Sequence, residues 1–472
     1  MNGGFYHGGI ASASCRPALP GSCPSGPRPR GDDLASRLRV PAGQLRLSGT
    51  CQGWVGCARV GSTSMMAGRR GDGLATLPFF LLMAAVFVVY VGYGIVLPLL
   101  PFLLERLLGD AARFSVAWHT GMIAGIYMLA LFVGAPLWGR VSDRVGRRPV
   151  ILLGLGGCVL TLATFGLATN LWLAYLARGL GGALVAAVLP VALAYVSDTS
   201  APEVRARRFA WMTAATTLGF MAGPLLGGWL TELQVGGLME VGAGGSFSAP
   251  FFTAAAGGVV IWLAVWRWLP GISPAPHAAP VQHSSRNVHS VNVLLLLALL
   301  GMFGLGAFEV AIALQGQQVL GLDPLQIGWM FMECSLVMVA VQMLVFSPLV
   351  RRVGFRFIIT PAFLAMAVGV GLLPSAANWN WLILLVGLFA AGSGILIPML
   401  AYRITLNAGL AQGAALGKQT AAASLGQGLG SAAAGWLYGI AVEAPFWLTA
   451  ALLLAGALAG MAAGRRVPAT AE

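Results

Sequence analysis

Apolar residues along this chain gather into long unbroken runs, not into alternating or one-faced patterns. From Leu77 onward twelve runs are legible, at roughly 77–104, 116–138, 148–168, 171–196, 209–231, 250–269, 292–314, 325–349, 357–374, 380–402, 418–438 and 445–463. A helix of about 20 apolar residues crosses a bilayer. In lipid only helices and closed barrels satisfy their own backbone hydrogen bonds, and barrel strands would alternate. The pattern predicts an all-α polytopic membrane protein with twelve transmembrane helices joined by short connections.

Landmarks recur at a near-constant offset. Gly146 pairs with Gly354, Gly179 with Gly387 and Pro190 with Pro398, each 208 residues apart, and Gly223 pairs with Gly430 at 207. The twelve helices therefore divide into two six-helix pseudo-repeats, 75–270 and 292–466. A polar linker with three prolines and three histidines joins them at 271–291, and a short tail follows at 467–472. Parallel six-helix repeats with a site between them describe a secondary transporter in which one half rocks on the other.

Charge changes the picture in one respect. The chain is 58% hydrophobic and 9% charged, with mean hydropathy +0.82 and net charge +13. A balance that basic can indicate a nucleic-acid partner. Its distribution excludes one. With the N-terminus inside, eighteen Lys and Arg fall on the inner side of the predicted spans and two, Arg106 and Arg113, on the outer. That split follows the positive-inside rule, and it places both termini in the cytoplasm. One Lys among 28 basic residues points to a GC-rich genome, hence a bacterial inner membrane.

The first 64 residues hold twelve Gly, six Pro and seven Arg with no apolar run. Such a segment cannot bury a core and is predicted to be disordered, as part of a tail over 1–74. It has no apolar core of a secretory signal; an Arg-rich targeting peptide stays open. The spacing of Cys15, Cys23, Cys51 and Cys57 fits no zinc pattern, and neither does that of His277, His283 and His289. The sequence holds no phosphate-binding loop and no Ser/His/Asp set. No enzyme activity, cofactor or metal is expected.

Charge is concentrated in one connection, GRVSDRVGRR, from Gly139 to Arg148. Arg140 is expected to follow the C-terminal end of the second helix, where exposed carbonyls favour a cation. Gly146 permits a sharp turn. Asp143 and Arg147, four apart, can pair if the third helix begins early. Asp198, ending the fourth helix, is placed to partner Arg144 or Arg147. A plain reading of these charges is a solvated anchor on the inner face.

The stretch resembles the signature loop between helices 2 and 3 of the major facilitator superfamily. "GFMAGPLLGG", with Gly219, Gly223, Pro224, Gly227 and Gly228, resembles the helix 5 signature GxxxGPxxGG of the twelve-helix drug:proton antiporters. "RGLGGALVAAVLP" from Arg178 is similar to their helix 4 motif. With Pro98 and Pro101, the first half is most similar to tetracycline-type efflux proteins. The resemblance covers about residues 75 to 466. It implies that Gly139, Asp143, Arg144, Gly146, Arg147, Arg148 and Asp198 form a gating latch, the acid engaging the other half when the inner gate is closed. It also implies that the helix 5 glycines form a hinge or a seal against leak. Glycines at that spacing equally suit tight helix packing. The second half breaks the symmetry: Arg351 stands where Asp143 does, and Ser431 follows Gly430 as Pro224 follows Gly223.

Three charges fall within the predicted spans: Arg178, Glu309 and Glu333. Ionisable groups are expensive in lipid and so are candidates for proton coupling. The edges of the runs put both glutamates at comparable depth, with Glu333 the deeper and the preferred proton carrier. Arg178 opposes them from the other half. Tetracycline-type exporters carry an acid in helix 1, near Val89 here; this helix has none before Glu105, which argues against tetracycline itself. A central cavity would take polar and aromatic lining from Tyr93, Tyr127, Gln342 and Gln419, with Tyr90, Tyr195, Gln315, Tyr402 and Gln427 as further candidates. Aromatics with few charges suit a lipophilic or amphipathic solute.

The expected function is proton-coupled efflux of a small organic compound by a monomer in the bilayer. A proton-coupled uptake or sugar-efflux carrier of the same fold is the alternative. A non-transporting sensor or scaffold is the alternative of another class.

Overall fold

The computed structural model describes residues 76–109, 113–232, 248–271, 288–346, 353–376, 378–408 and 412–466. The tail over 1–74 lies outside the described residues, as do 272–287 of the linker and 467–472. Among the described residues the secondary structure is helical. In chain order the helices are α1 (Thr76–Leu108), α2 (Arg113–Val145), α3 (Arg147–Gly166), α4 (Leu171–Val185), α5 (Val188–Thr199), α6 (Pro202–Glu232) and α7 (Ser248–Trp268). The second half supplies α8 (Val288–Gln318), α9 (Pro324–Val341), α10 (Phe355–Leu372), α11 (Trp379–Ala408), α12 (Gln412–Ile440) and α13 (Ala444–Arg466).

Eleven helices among the described residues are long and apolar enough to cross a membrane, with α4 and α5 forming one span over Leu171–Thr199. α12 is long enough at 29 residues but falls short in hydropathy. It carries Lys418, Gln419, Ser424, Gln427 and Ser431 among small residues, and it packs on α2 and α8. Small and polar residues are what helix interfaces in lipid select. Among the described residues each of the twelve apolar runs falls mainly on helical structure.

The fourth run is interrupted where the sequence predicts one helix. Pro190 sits in the first turn of α5, where a missing N–H costs nothing. Its ring would collide with the Ala186 carbonyl in a continued helix. α4 ends at Val185, and Ala187 N bonds Leu184 O at 3.1 Å. Pro398, its partner in the repeat, lies inside an unbroken α11. α9 likewise stops short of its run, at Val341, and a π-helical turn follows over Gln342–Phe346.

The charged stretch is not a loop. α2 runs through it to Val145, and Gly146 alone joins α2 to α3. Its φ of 97° and ψ of 159° are open only to glycine, and its N–H donates to Ser142 O at 3.1 Å. Arg140 therefore lies within α2 and not after its end, contrary to expectation. A helix of 33 residues is roughly 50 Å long, against a hydrocarbon core of about 30 Å. Its last turns project from the core and can carry charge. Arg144, in the final turn, is the residue placed beside the free carbonyls.

The repeat is also a packing equivalence. A Cβ added at Gly219 would lie 2.5 Å from Phe87 O, and one at Gly223 2.6 Å from Val91 O, so α6 lies directly on α1. In the second half a Cβ at Gly426 would lie 2.3 Å from Leu299 O, and one at Gly430 2.1 Å from Phe303 O. α12 lies on α8 in the same way, the glycines 207 residues on and the carbonyls they meet 212. The two halves belong to one compact unit.

Close contacts between the halves gather at the end of the bundle away from Gly146, here called the far end. There a Cβ at Gly121 of α2 would lie 2.6 Å from Gly435 Cα of α12, and one at Gly125 2.7 Å from Gly428 O. Gln317 donates to Glu105 at 2.6 Å between the far ends of α8 and α1. Burial along α2 follows suit. Val116, Ala117, Thr120, Ile123, Ala124, Tyr127 and Met128 are buried, whereas from Leu131 to Val141 only Gly134 is. Toward the Gly146 end α2 loses most of its cover, until Ser142, which is buried beside Arg147.

Candidate functional site

At the junction of the halves the structure gathers polar side chains from α1, α2, α4, α8 and α12. Gly306 begins the arrangement. A Cβ there would lie 2.2 Å from Gln427 O, so only glycine lets α12 come this close to α8. One turn on, Glu309 is 3% exposed. Gln427 Nε2 donates to its two carboxylate oxygens at 3.1 and 3.0 Å. From the other half, Tyr93 OH donates to Glu309 Oε2 at 3.0 Å and accepts from Gln427 Nε2 at 3.2 Å. A buried carboxylate is tolerable only with such partners.

The first half holds Tyr93 from its other side. The ring stacks between Tyr127, at 5.3 Å between centroids, and Phe220, at 5.7 Å. The Arg178 guanidinium lies 4.2 Å from the Tyr127 ring centroid and 5.8 Å from that of Tyr93. Such a cation draws on the ring quadrupole in place of a counter-ion. The glycines after Arg178 bring α4 in: a Cβ at Gly182 would lie 2.2 Å from Tyr127 O, and one at Gly181 3.2 Å from Thr161 Oγ1. Arg178 is 5% exposed, and its Nε and Nη2 have no hydrogen-bond partner among the described residues. Tyr93 meets both charges, Arg178 at its ring and Glu309 at its hydroxyl.

The geometry separates the two glutamates that the sequence pairs. α8 continues to Gln318 and α9 begins at Pro324, so Glu309 and Glu333 each lie nine residues from the far end of their helix (318 − 309 and 333 − 324). At 1.5 Å per residue both are roughly 14 Å deep. Their surroundings differ. Glu333 is half-buried on the flank of α9 that also carries exposed Trp329 and Leu336, and its Oε1 lies where a Cβ on Gly387 would come within 2.9 Å. It faces α11 of its own half. The expected order, Glu333 before Glu309, followed from run edges that the helices overstep.

The charged cluster centres on Arg147, which is buried. Its Nε donates to Asp198 at 3.1 Å and its Nη1 to Ser142 Oγ at 2.7 Å, with Asp143 a further partner. One side chain so ties α2, α3 and α5 together. Of the two partners expected for Asp198 the structure selects Arg147; Arg144 is exposed. Arg148 donates to the Trp266 carbonyl of α7. A Cβ on Gly139 would meet nothing within 4 Å.

The helix 5 glycines divide between two neighbours. Gly219, Gly223 and Gly227 face α1. Gly228 faces the other half, where a Cβ would lie 2.5 Å from Leu325 Cα of α9. Pro224 belongs to both contacts. Its Cδ would lie 2.8 Å from a Cβ on Gly94, and its carbonyl 2.5 Å from one on Gly328. α6 is one continuous helix across Pro224.

Of the four cavity residues, Tyr93 and Tyr127 are in the central cluster. Gln342 lies in the π-helical turn and Gln419 near the Gly146 end of α12, both half-buried and outside it. Gln315 donates to Leu373 O at 2.9 Å and Tyr195 to Pro270 O at 3.1 Å, fixing neighbouring elements. Phe220, Cys158 and Thr161 escaped the sequence reading: each is a common packing residue, and only the fold brings it to Tyr93 or Arg178.

The family model of the Major Facilitator Superfamily matches residues 82–340 and 294–472. The chain is 26% identical over 391 residues to Multidrug resistance protein 2 of Bacillus subtilis, covering 80% of this chain and 93% of that one. It is 29% identical over 378 residues to the class E tetracycline resistance protein of Escherichia coli, covering 75% and 86%. Among solved structures it is similar to a bacterial homolog of the human lysosomal transporter Spinster, with TM-score 0.65 at 14% identity, covering 84% and 98%. It is similar also to the human organic anion transporter MFSD10, with TM-score 0.61 at 21% identity, covering 82% and 100%.

Proposed function

Because the chain belongs to the major facilitator superfamily, and is therefore a multi-pass membrane transporter, we propose that it exports small lipophilic or amphipathic organic compounds in exchange for protons. The observation that carries this reading is the Tyr93–Glu309–Gln427 cluster, an acid of one half held by a phenol of the other. The drug-resistance relatives support export over uptake. We place the Gly146 end in the cytoplasm of a bacterial plasma membrane on the positive-inside split, and take the monomer as the working unit. In that orientation the contacts of α2 with α12 and α6 with α9 close the outer mouth.

Antiport needs a group whose protonation changes as the site switches sides. Glu309 stands on the seam. When the outer mouth opens, α1 and α8 part, Tyr93 leaves the carboxylate, and a proton can arrive from outside. When the halves close over again, Tyr93 returns to the carboxylate beside Gln427 and the proton leaves inward. The stacked Tyr93, Tyr127 and Phe220 offer flat apolar surface to an aromatic solute beside it. Gly228 and Gly328 allow a tight outer seal while this happens.

The test is Glu309→Gln in everted vesicles. Substrate exchange without a gradient should survive while proton-driven accumulation is lost. If addition of substrate still moves protons as in the wild type, another group carries them.

A further inference from the structure

Beside Tyr93 the first half lines a partly open cavity of ≈ 20 Å³, enough for about one water-sized occupant. Its walls come from α1, α2, α3 and α4, and they include Tyr127, Cys158, Thr161 and Arg178. Arg178 is 5% exposed, and its Nε and Nη2 have no hydrogen-bond partner among the described residues. A buried guanidinium is among the costliest groups to leave unpaired, and in lipid the cost is greater. The aromatic faces of Tyr127 and Tyr93 meet its charge in part. They accept nothing along its N–H bonds.

The walls hold no acid. Among the described residues the ionisable groups acting on Arg178 are Tyr93 of α1, Tyr127 of α2, Cys158 of α3 and Glu309 of α8. Glu309 is taken up by Tyr93 and Gln427. The cavity therefore presents the unpartnered Arg178 N–H donors and the Tyr127 side chain to a space whose walls hold no carboxylate; the Thr161 hydroxyl on the wall already donates to Gly157 O at 2.7 Å.

We propose that this cavity binds one compact anion, a halide or the carboxylate end of an acidic solute, against the Arg178 guanidinium. The anion is linked to the proton on Glu309. With Glu309 ionised, Arg178 has a counter-charge one ring away, and a second anion is repelled. With Glu309 protonated, Arg178 stands alone and the anion completes its charge. The protein then takes up a proton and an anion together, or neither, which keeps the buried charge near balance through the cycle. The site itself rests on the Arg178 geometry alone; its linkage to the proton rests on the coupling role proposed for Glu309.

The experiment uses the purified full chain with bromide as the probe. Crystals in bromide should show an anomalous peak within hydrogen-bond distance of Arg178 Nε or Nη2; a water there in place of bromide would overturn the proposal. In solution, bromide should raise the unfolding temperature saturably over gluconate at equal ionic strength. Arg178→Gln should abolish that response, and Arg178→Lys, which keeps the charge but not the fork of donors, should weaken it severalfold. An unchanged bromide response in both variants would overturn the site. Glu309→Gln, which fixes the neutral form, should tighten bromide binding about tenfold or more. Equal or weaker binding there would overturn the linkage while leaving the site standing. Benzoate in place of bromide distinguishes the sources. Competition between the two means that the carboxylate of a solute reaches Arg178, and bromide binding without competition means that the cavity admits only a free halide. Since none of these readings requires transport, failure of the anion site and failure of the export reading are separable.

Discussion

Tyr93 on α1 donates a 3.0 Å hydrogen bond to Glu309 on α8, 216 positions away and across the seam between the halves. The bond exists only while the two halves meet here, so it reports and favours one conformation of the pair. Tyr93→Phe removes the donor and keeps the stack on Tyr127 and Phe220. A hydrogen bond to an ionised group contributes about 1.5–3 kcal/mol, so proton-driven accumulation should fall roughly 10- to 100-fold. Gradient-free exchange should change little. Equal losses in both assays would mean that Tyr93 serves packing alone.

Glu309 and Glu333 share a depth but not a place, and the two variants should differ accordingly. Glu309→Gln should uncouple transport. Glu333→Gln, on the flank of α9, should keep accumulation within about twofold of wild type, since it removes no interaction between the halves. Proton flux in everted vesicles compares them directly, and a larger loss at Glu333 would reverse the assignment.

Much of the architecture is legible in the sequence because lipid imposes it. Continuous apolar runs admit one structure, and the 207–208 residue offset of Gly146, Gly179, Pro190 and Gly223 already marks the two halves. The break at Ala186 needed more than Pro190, because Pro398 stands at the matching place in an unbroken helix. Apolar runs also end before helices do: α2 carries its charge to Val145 and α8 runs on to Gln318. That is why depth counted from run edges sets Glu333 deeper, whereas both glutamates lie nine residues from the far ends of their helices. Arg178 and Glu309 were conspicuous as charges in spans, whereas Gln427 was one polar residue among nine. Nothing in its neighbours announces that Gly306 would bring it to the carboxylate.

Gly146 is the single residue between α2 and α3, at φ 97°. Gly146→Ala should cost about 1–3 kcal/mol, as a side chain is forced into a region that L-residues avoid. Gly139→Ala, seven residues earlier in α2 and in open space, should instead stabilise by about 0.5–1 kcal/mol through helix propensity. Thermal unfolding of the two in one detergent checks the sign of each. A loss at Gly139 matching that at Gly146 would show that the turn geometry is not the cause.

Arg147 joins Asp198, Ser142 and Asp143, and hence three helices. Arg147→Ala removes the link from α3 to Asp198 of α5 and to Ser142 and Asp143 of α2, and should destabilise by about 3–5 kcal/mol. Asp143→Asn removes one half-exposed partner and should cost less, about 1 kcal/mol. Arg147→Lys should fall between them, since one ammonium cannot reproduce the fork of a guanidinium. The order of the three unfolding temperatures is the test; Asp143→Asn below Arg147→Ala would place the anchor on the acid.

Gly227 and Gly228 are neighbours with different tasks, and they allow the outer seal to be tested apart from helix packing. A Cβ at Gly227 would lie 3.1 Å from Ile95 O, within the first half. A Cβ at Gly228 would lie 2.5 Å from Leu325 Cα and 2.7 Å from Pro324 O, in the second half. Helix backbone cannot yield as a flexible side chain does, so Gly228→Ala must push α6 away from α9. Overpacking of this kind costs about 1–3 kcal/mol. The cost falls on the conformation in which the halves touch, and is relieved when the far end opens. The open population should therefore rise roughly 5- to 150-fold. Val96 is 1% exposed and lines the cavity beside Tyr93, so a cysteine there is a reporter of opening. In a background lacking the native cysteines, Val96→Cys should react slowly with an impermeant maleimide added from outside. Adding Gly228→Ala should speed the reaction, and adding Gly227→Ala should not. Equal acceleration by both would mean that α6 loosens as a whole, and that Gly228 seals nothing of its own.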